Sequence, residues 1–220
     1  MWSTAWLVAG KDLRIEWRSR VLLWQVVPFA VIALVLSGLA VGPSAAEMRR
    51  VAPGIFYLVT LLVSLLIIGR AQGVEAPVGT RTSVRMLALD PAGVFLGKSL
   101  ALFVELVGTS LVVLAGVVLV LHAPLRGTVV ALPGVLLALG ALAAAGTIYG
   151  ALVGDARASA TLLPIIALPP FAGILIVGEK AFASALVGGA LARWLAFLAL
   201  ALAAYLALGV LLYGVAEESS

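Results

Sequence analysis

Long apolar runs separated by short charged patches set the pattern of the chain. Residues 21–46, 51–69, 127–154, 158–178 and 194–216 carry no Asp, Glu, Lys or Arg, and residues 99–125 carry one, Glu105. Each run approaches or exceeds the roughly 20 apolar residues that an α-helix needs to cross a bilayer. The pattern predicts an all-α integral membrane protein with six transmembrane helices, over about 21–42, 51–69, 98–121, 128–153, 158–178 and 192–215, as one transmembrane domain. An even number of spans puts both termini on the same side.

The first 20 residues obey another rule. Trp6, Gly10, Leu13 and Trp17 share one helical face, and Lys11, Arg14 and Arg18 share another. Glu16 and Arg20 have the spacing of an i,i+4 pair. Indole rings beside cations suit a helix lying in the membrane interface. Residues 1–20 therefore read as an interfacial elbow helix, either a plain juxtamembrane anchor or a part that moves with the bundle.

Composition agrees with the spans: 64% of residues are hydrophobic, 11% are charged, and the mean hydropathy is +1.22. A soluble domain of that composition would expose large apolar patches. There is no cysteine, so disulfides and thiolate metal sites are excluded. At the N-terminus a short apolar run precedes the charges, the reverse of a signal peptide's order, so the segment is expected to stay on the mature protein. With the N-terminus in the cytoplasm, nine of the 14 Lys and Arg residues fall on the cytoplasmic side and five on the other. The positive-inside rule favours that orientation, and it makes residues 70–97 a cytoplasmic loop. Within the loop, TSVRMLALD has the makings of a short amphipathic helix with Thr82 or Ser83 as N-cap, Arg81 and Arg85 on one face, Leu87 and Leu89 as apolar surface, and Pro91 as its stop. Such a helix, with Asp90 at its end, either receives a soluble partner or rests on the lipid surface.

DPAGVFLGKS, residues 90–99, ends like a phosphate-binding loop. That loop requires G-x-x-x-x-G-K-[ST] between a strand and a helix. The first glycine would fall at position 92, which is Ala92, and the segment leads directly into a membrane span. The chain is therefore not expected to hydrolyse ATP, and Lys98 reads as a cation snorkelling at the end of the third span.

Few polar residues interrupt the spans. Glu105 lies seven residues beyond Lys98, about 10 Å along a helix, and must face protein or water. It serves either a substrate path or coupling step, or a polar lock within the bundle or at a dimer interface. Gly146, Gly150 and Gly154 form a small-xxx-small stripe for helix packing. Pro164, Pro169 and Pro170 each remove a backbone donor and should kink or break the fifth span. His122, the single histidine, stands at the outer end of the third span, as a polar cap or as an axial ligand. No catalytic or metal cluster is evident.

KDLRIEWRSR before the first span, VAPGIFYLVTLL in the second, DPAGVFLGKSLALFVELV in the third and TLLPIIALPPFAGILI in the fifth resemble the CcmB, or haem exporter protein B, family. The resemblance covers nearly the whole chain. It implies an ABC-2-like permease subunit of the cytochrome c maturation system in the bacterial inner membrane. It also implies an ATPase of the CcmA type, membrane partners of the CcmC and CcmD types, and pairing of two copies. ATP would be bound by the partner, haem would be handled as cargo, and hydrolysis would release a haem-loaded chaperone. Arg70 and Glu75 resemble the charged residues that come after the family's second span. With Arg81, Arg85, Leu87 and Asp90 they form the expected ATPase-docking set. The loop departs from the family in length and in carrying Arg81 and Arg85 where acids are usual. Two other readings of the same architecture are an ABC-2 permease exporting a lipid or drug, and a membrane scaffold without a transport path.

Overall fold

The computed structural model describes residues 1–20, 22–75, 90–153 and 156–218. These residues form seven α-helices and one π-turn, with no strand among them. Helix α1 spans Trp2–Ser19. A π-turn over Leu22–Val26 leads into α2, Val27–Val41. Then come α3, Ala45–Glu75; α4, Pro91–Val120; α5, Leu125–Val153; α6, Ala156–Val187; and α7, Leu191–Glu218. Six stretches are long and apolar enough to cross a membrane, one in each of α2 to α7. The expected fold class holds.

Local chemistry sets the breaks. Arg20 takes a left-handed conformation (φ 52°) and ends α1, its N–H bonding back to the Glu16 carbonyl. The π-turn stands just ahead of Pro28, whose missing N–H interrupts the normal ladder. Asp90 caps α4, its Oδ2 accepting the Gly93 N–H at 3.1 Å, and Pro91 fills the first helical position, where no donor is needed. Pro91 thus opens α4, and the third span's helix starts two turns before Lys98. The short helix expected over residues 82–90 lies, but for Asp90, outside the described residues. His122 (φ 56°) and Gly188 (φ 73°) turn the chain after α4 and α6. Helix α6 runs unbroken through Pro164, Pro169 and Pro170.

Helix α5 is the centre of the bundle. Ala141 to Ile148 are all buried, so this part of the helix has no outward face. Its small residues let neighbours come close. Gly146 receives Ile68 of α3 and the Phe171 ring of α6, and Gly140 receives Leu202 of α7. Gly150 is also buried, while Gly154 lies outside the described residues. A buried hydrogen bond from Ser99 Oγ to Thr147 Oγ1 (3.2 Å) joins α4 to α5. On the far side of α3, Tyr57 lies against Gly178 of α6, and Phe56 stacks edge-on to Phe182 at 5.5 Å.

Helix α1 does not stand apart from this bundle. A Cβ added at Gly93 would sit 2.7 Å from the Met1 carbonyl and 2.8 Å from Thr4 Cβ. One added at Gly97 would sit 2.6 Å from the Ala5 carbonyl and 2.7 Å from Val8 Cβ. Both distances are below contact, so α1 rests on α4 at glycine separation. The Gly97→Leu variant should therefore lose on the order of 1–3 kcal/mol of stability through overpacking. Gly108→Ala, on the same helix with nothing within 4 Å, should be neutral or slightly stabilising. Thermal unfolding of the purified proteins in detergent reads both.

Candidate functional site

One stripe of α1 faces the bundle. Thr4, Ala5 and Ala9 are buried, and Asp12 and Glu16 continue the stripe half-buried. Positions 5, 9, 12 and 16 keep helical spacing. The small residues meet the Gly93–Gly97 face of α4, which continues to the buried Ala101. The acids reach the far end of the same contact.

There Glu16 meets Arg70, near the end of α3. Glu16 Oε1 accepts from Arg70 Nη1 and Oε2 from Nη2, both at 3.2 Å. The side chains are 16% and 23% exposed, so this fork-on-fork pair lies outside the weak regime of surface salt bridges. Glu105 of α4, half-buried, lies within electrostatic reach of Arg70, Glu16 and Asp12. Asp12 is also paired with Lys11 at 3.0 Å. One guanidinium thus pairs with Glu16 while the carboxylates of Asp12 and Glu105 stand within electrostatic reach of the junction. Glu105 is part of that junction and is not an isolated intramembrane charge. Its backbone carbonyl accepts the Thr109 hydroxyl at 3.0 Å.

At the other end, Asp90 accepts the α-amino group of Met1 at 3.2 Å while capping α4. Glu75 and Asp90 bracket the segment over 76–89. Helix α1 therefore ties down both flanks of that segment: α3 through Glu16–Arg70, and α4 through Thr4, Ala5 and the Met1–Asp90 pair.

Of the expected docking set, Arg70 faces Glu16, Asp90 is a helix cap, and Glu75 closes α3. Arg81, Arg85 and Leu87 lie outside the described residues. The Glu16 carboxylate reaches across to Arg70 of α3, and it forms no ion pair with Arg20, the partner that its spacing suggested. The clamp itself was not anticipated. Its signal was present as Gly93-xxx-Gly97-xxx-Ala101 in α4 opposite Ala5-xxx-Ala9 in α1. His122 is exposed in its left-handed turn, a conformation histidine tolerates better than most residues. Among the described residues no three His, Cys, Asp or Glu side chains converge to hold a metal.

These features define a polytopic α-helical membrane protein whose charged junction sits beside the connection between its second and third spans. The family model described as CcmB protein matches residues 3–218, and the chain belongs to the CcmB family. It is similar to the protein named Heme exporter protein B of Paracoccus denitrificans, 28% identical over 207 residues, covering 90% of this chain and 91% of the relative. It is also similar to Heme exporter protein B of Rhodobacter capsulatus, 30% identical over 180 residues, covering 78% of each chain.

The junction makes a direct prediction. In a double-mutant cycle of Glu16→Ala and Arg70→Ala, the two residues should show a coupling of about 1–3 kcal/mol in thermal unfolding, because each single change strands the partner's charge.

Proposed function

We propose that this chain is the membrane permease subunit of an ABC-type haem exporter acting in cytochrome c maturation, driven by ATP hydrolysis on a separate subunit. The observation that carries the reading is the match to the CcmB family over residues 3–218, with relatives named as haem exporters over most of their length. The sequence supports the division of labour, since Ala92 interrupts the one segment that looks like a phosphate loop.

In this reading the segment over 76–89 receives the ATPase on the cytoplasmic side. Closure of the ATPase pushes on the ends of α3 and α4. Because α1 holds both ends, the push moves three helices together and not one loop. Arg70 and Glu16 then act as a coupling strut, with Glu105 as the neighbouring carboxylate that a shifted guanidinium would meet next. Two copies of the chain, CcmC-like and CcmD-like subunits and the ATPase complete the assembly. Haem is its cargo, and release of a haem-loaded chaperone is its output.

A mild-detergent pull-down of the tagged chain, with mass spectrometry and a haem absorbance spectrum, tests this. Recovery of an ATPase with CcmC-like and CcmD-like subunits is expected. An ATPase alone would point to an exporter of other cargo, and no ATPase from an otherwise intact complex would overturn the reading. Within the same assembly, Arg70→Gln should keep the ATPase bound while lowering ATP-dependent cytochrome c maturation about tenfold, a loss near 1.4 kcal/mol of coupling. Reversing Arg81 and Arg85 to Glu should instead weaken ATPase recovery.

A further inference from the structure

The outward side of α1 is as organised as its inward side. Its two acids are already engaged, Asp12 by Lys11 and Glu16 by Arg70. Arg14, Arg18 and Arg20 are exposed, and none makes an ion pair with a described residue. Arg14 and Arg18 are one turn apart and share a face with Lys11. Next to this cationic stripe runs an aromatic one. Trp2, Trp6 and Trp17 are 71%, 67% and 83% exposed.

The two stripes are joined by a path. Trp6, Gly10 and Arg14 succeed one another at four-residue spacing along a single ridge of the helix. Gly10 has no side chain and open space around its Cβ position. At the Trp6 end the ridge opens into an apolar groove of about 390 Å³ between α1, α4, α5 and α7. Trp2, Trp6, Leu96, Phe103, Leu136 and Leu202 line it. One ridge therefore carries, in order, an apolar slot, an indole, a gap and a guanidinium.

We infer that this ridge is a binding site for an anionic phospholipid. An acyl chain fills the groove beside Trp2 and Trp6, the glycerol region crosses Gly10, and the phosphate and its anionic head lie on Arg14 and Arg18, with Arg20 nearby. Indoles suit the boundary between chain and headgroup. Guanidinium groups suit phosphate through forked hydrogen bonds. The excess of three arginines selects a headgroup with net negative charge over a zwitterionic one. The consequence is that bound lipid steadies the helix that clamps α3 and α4.

The test uses the purified full-length chain alone, so its outcome is independent of any ATPase or haem. Thermal unfolding in neutral detergent is monitored with added phosphatidylglycerol or phosphatidylcholine of identical acyl chains. Phosphatidylglycerol should bind about tenfold or more tighter and raise Tm, and the shift should shrink as salt is added. The triple variant Arg14→Gln, Arg18→Gln, Arg20→Gln should keep its Tm in phosphatidylcholine and lose the phosphatidylglycerol shift. Gly10→Leu should weaken the shift with all cations intact. Equal shifts from the two lipids, or an undiminished phosphatidylglycerol shift in the triple variant, would overturn the inference.

Discussion

The approach of two backbones, α1 onto α4 at Gly93 and Gly97, is the constraint on which the remaining arrangement rests. Any side chain at Gly97 would collide with the Ala5 carbonyl and Val8. The closeness is what lets α1, a helix too charged to enter lipid as a span, join the bundle along its small-residue stripe. Once α1 is seated, Glu16 is carried to Arg70 and the Met1 amino group to Asp90. The ionic contacts fix the position of α1 along α4, while the glycines make that position reachable. A half-buried ion pair alone would not hold an interfacial helix in place, because much of its Coulomb energy repays desolvation.

The clamp gives the fold a mechanical logic. The segment over 76–89 begins where α3 ends and finishes where α4 begins, and α1 grips both helices within a few turns of those points. On the far side α4 is locked to the buried centre of the bundle by Ser99–Thr147, and to α7 by the tip of the Phe95 ring against Gly209. A displacement at the segment therefore has a packed route to α5 and α7. The π-turn at Leu22–Val26 lies between α1 and α2, and with the left-handed Arg20 it interrupts regular α-helical bonding between the clamp and the first span.

Much of this was legible in the sequence, and the rest was hidden for a physical reason. Six apolar runs announced six spans, because lipid demands long charge-free helices. The face of α1 that carries Trp6, Gly10 and Trp17 was readable by period alone, and all three are exposed. Tertiary pairing was not readable. Glu16 had a plausible partner four residues away in Arg20, and only the fold brings Arg70, 54 positions along the chain, to its carboxylate. Gly97 looked like part of a failed nucleotide motif, and its use became visible only with Ala5 and Val8 against it. Glycines in α4 and α5 look alike in sequence, yet Gly97 and Gly146 are contact points while Gly108 faces open space. Period shows which residues share a face, but not which helix that face meets.

The most direct measurement of the clamp is a thiol cross-link in native membranes. The chain has no cysteine, so Thr4→Cys with Gly93→Cys gives an uncluttered readout. The two Cβ positions lie 2.8 Å apart, closer than the roughly 3.5–4.5 Å of a disulfide, so α1 eases outward by part of an ångström or more to admit the new Cβ while the thiols stay in bonding range. Near-complete cross-linking under mild oxidation is expected, with none for Thr4→Cys paired with Gly108→Cys. Failure of the first pair to cross-link, while both thiols remain open to maleimide, would contradict the seating of α1 on α4.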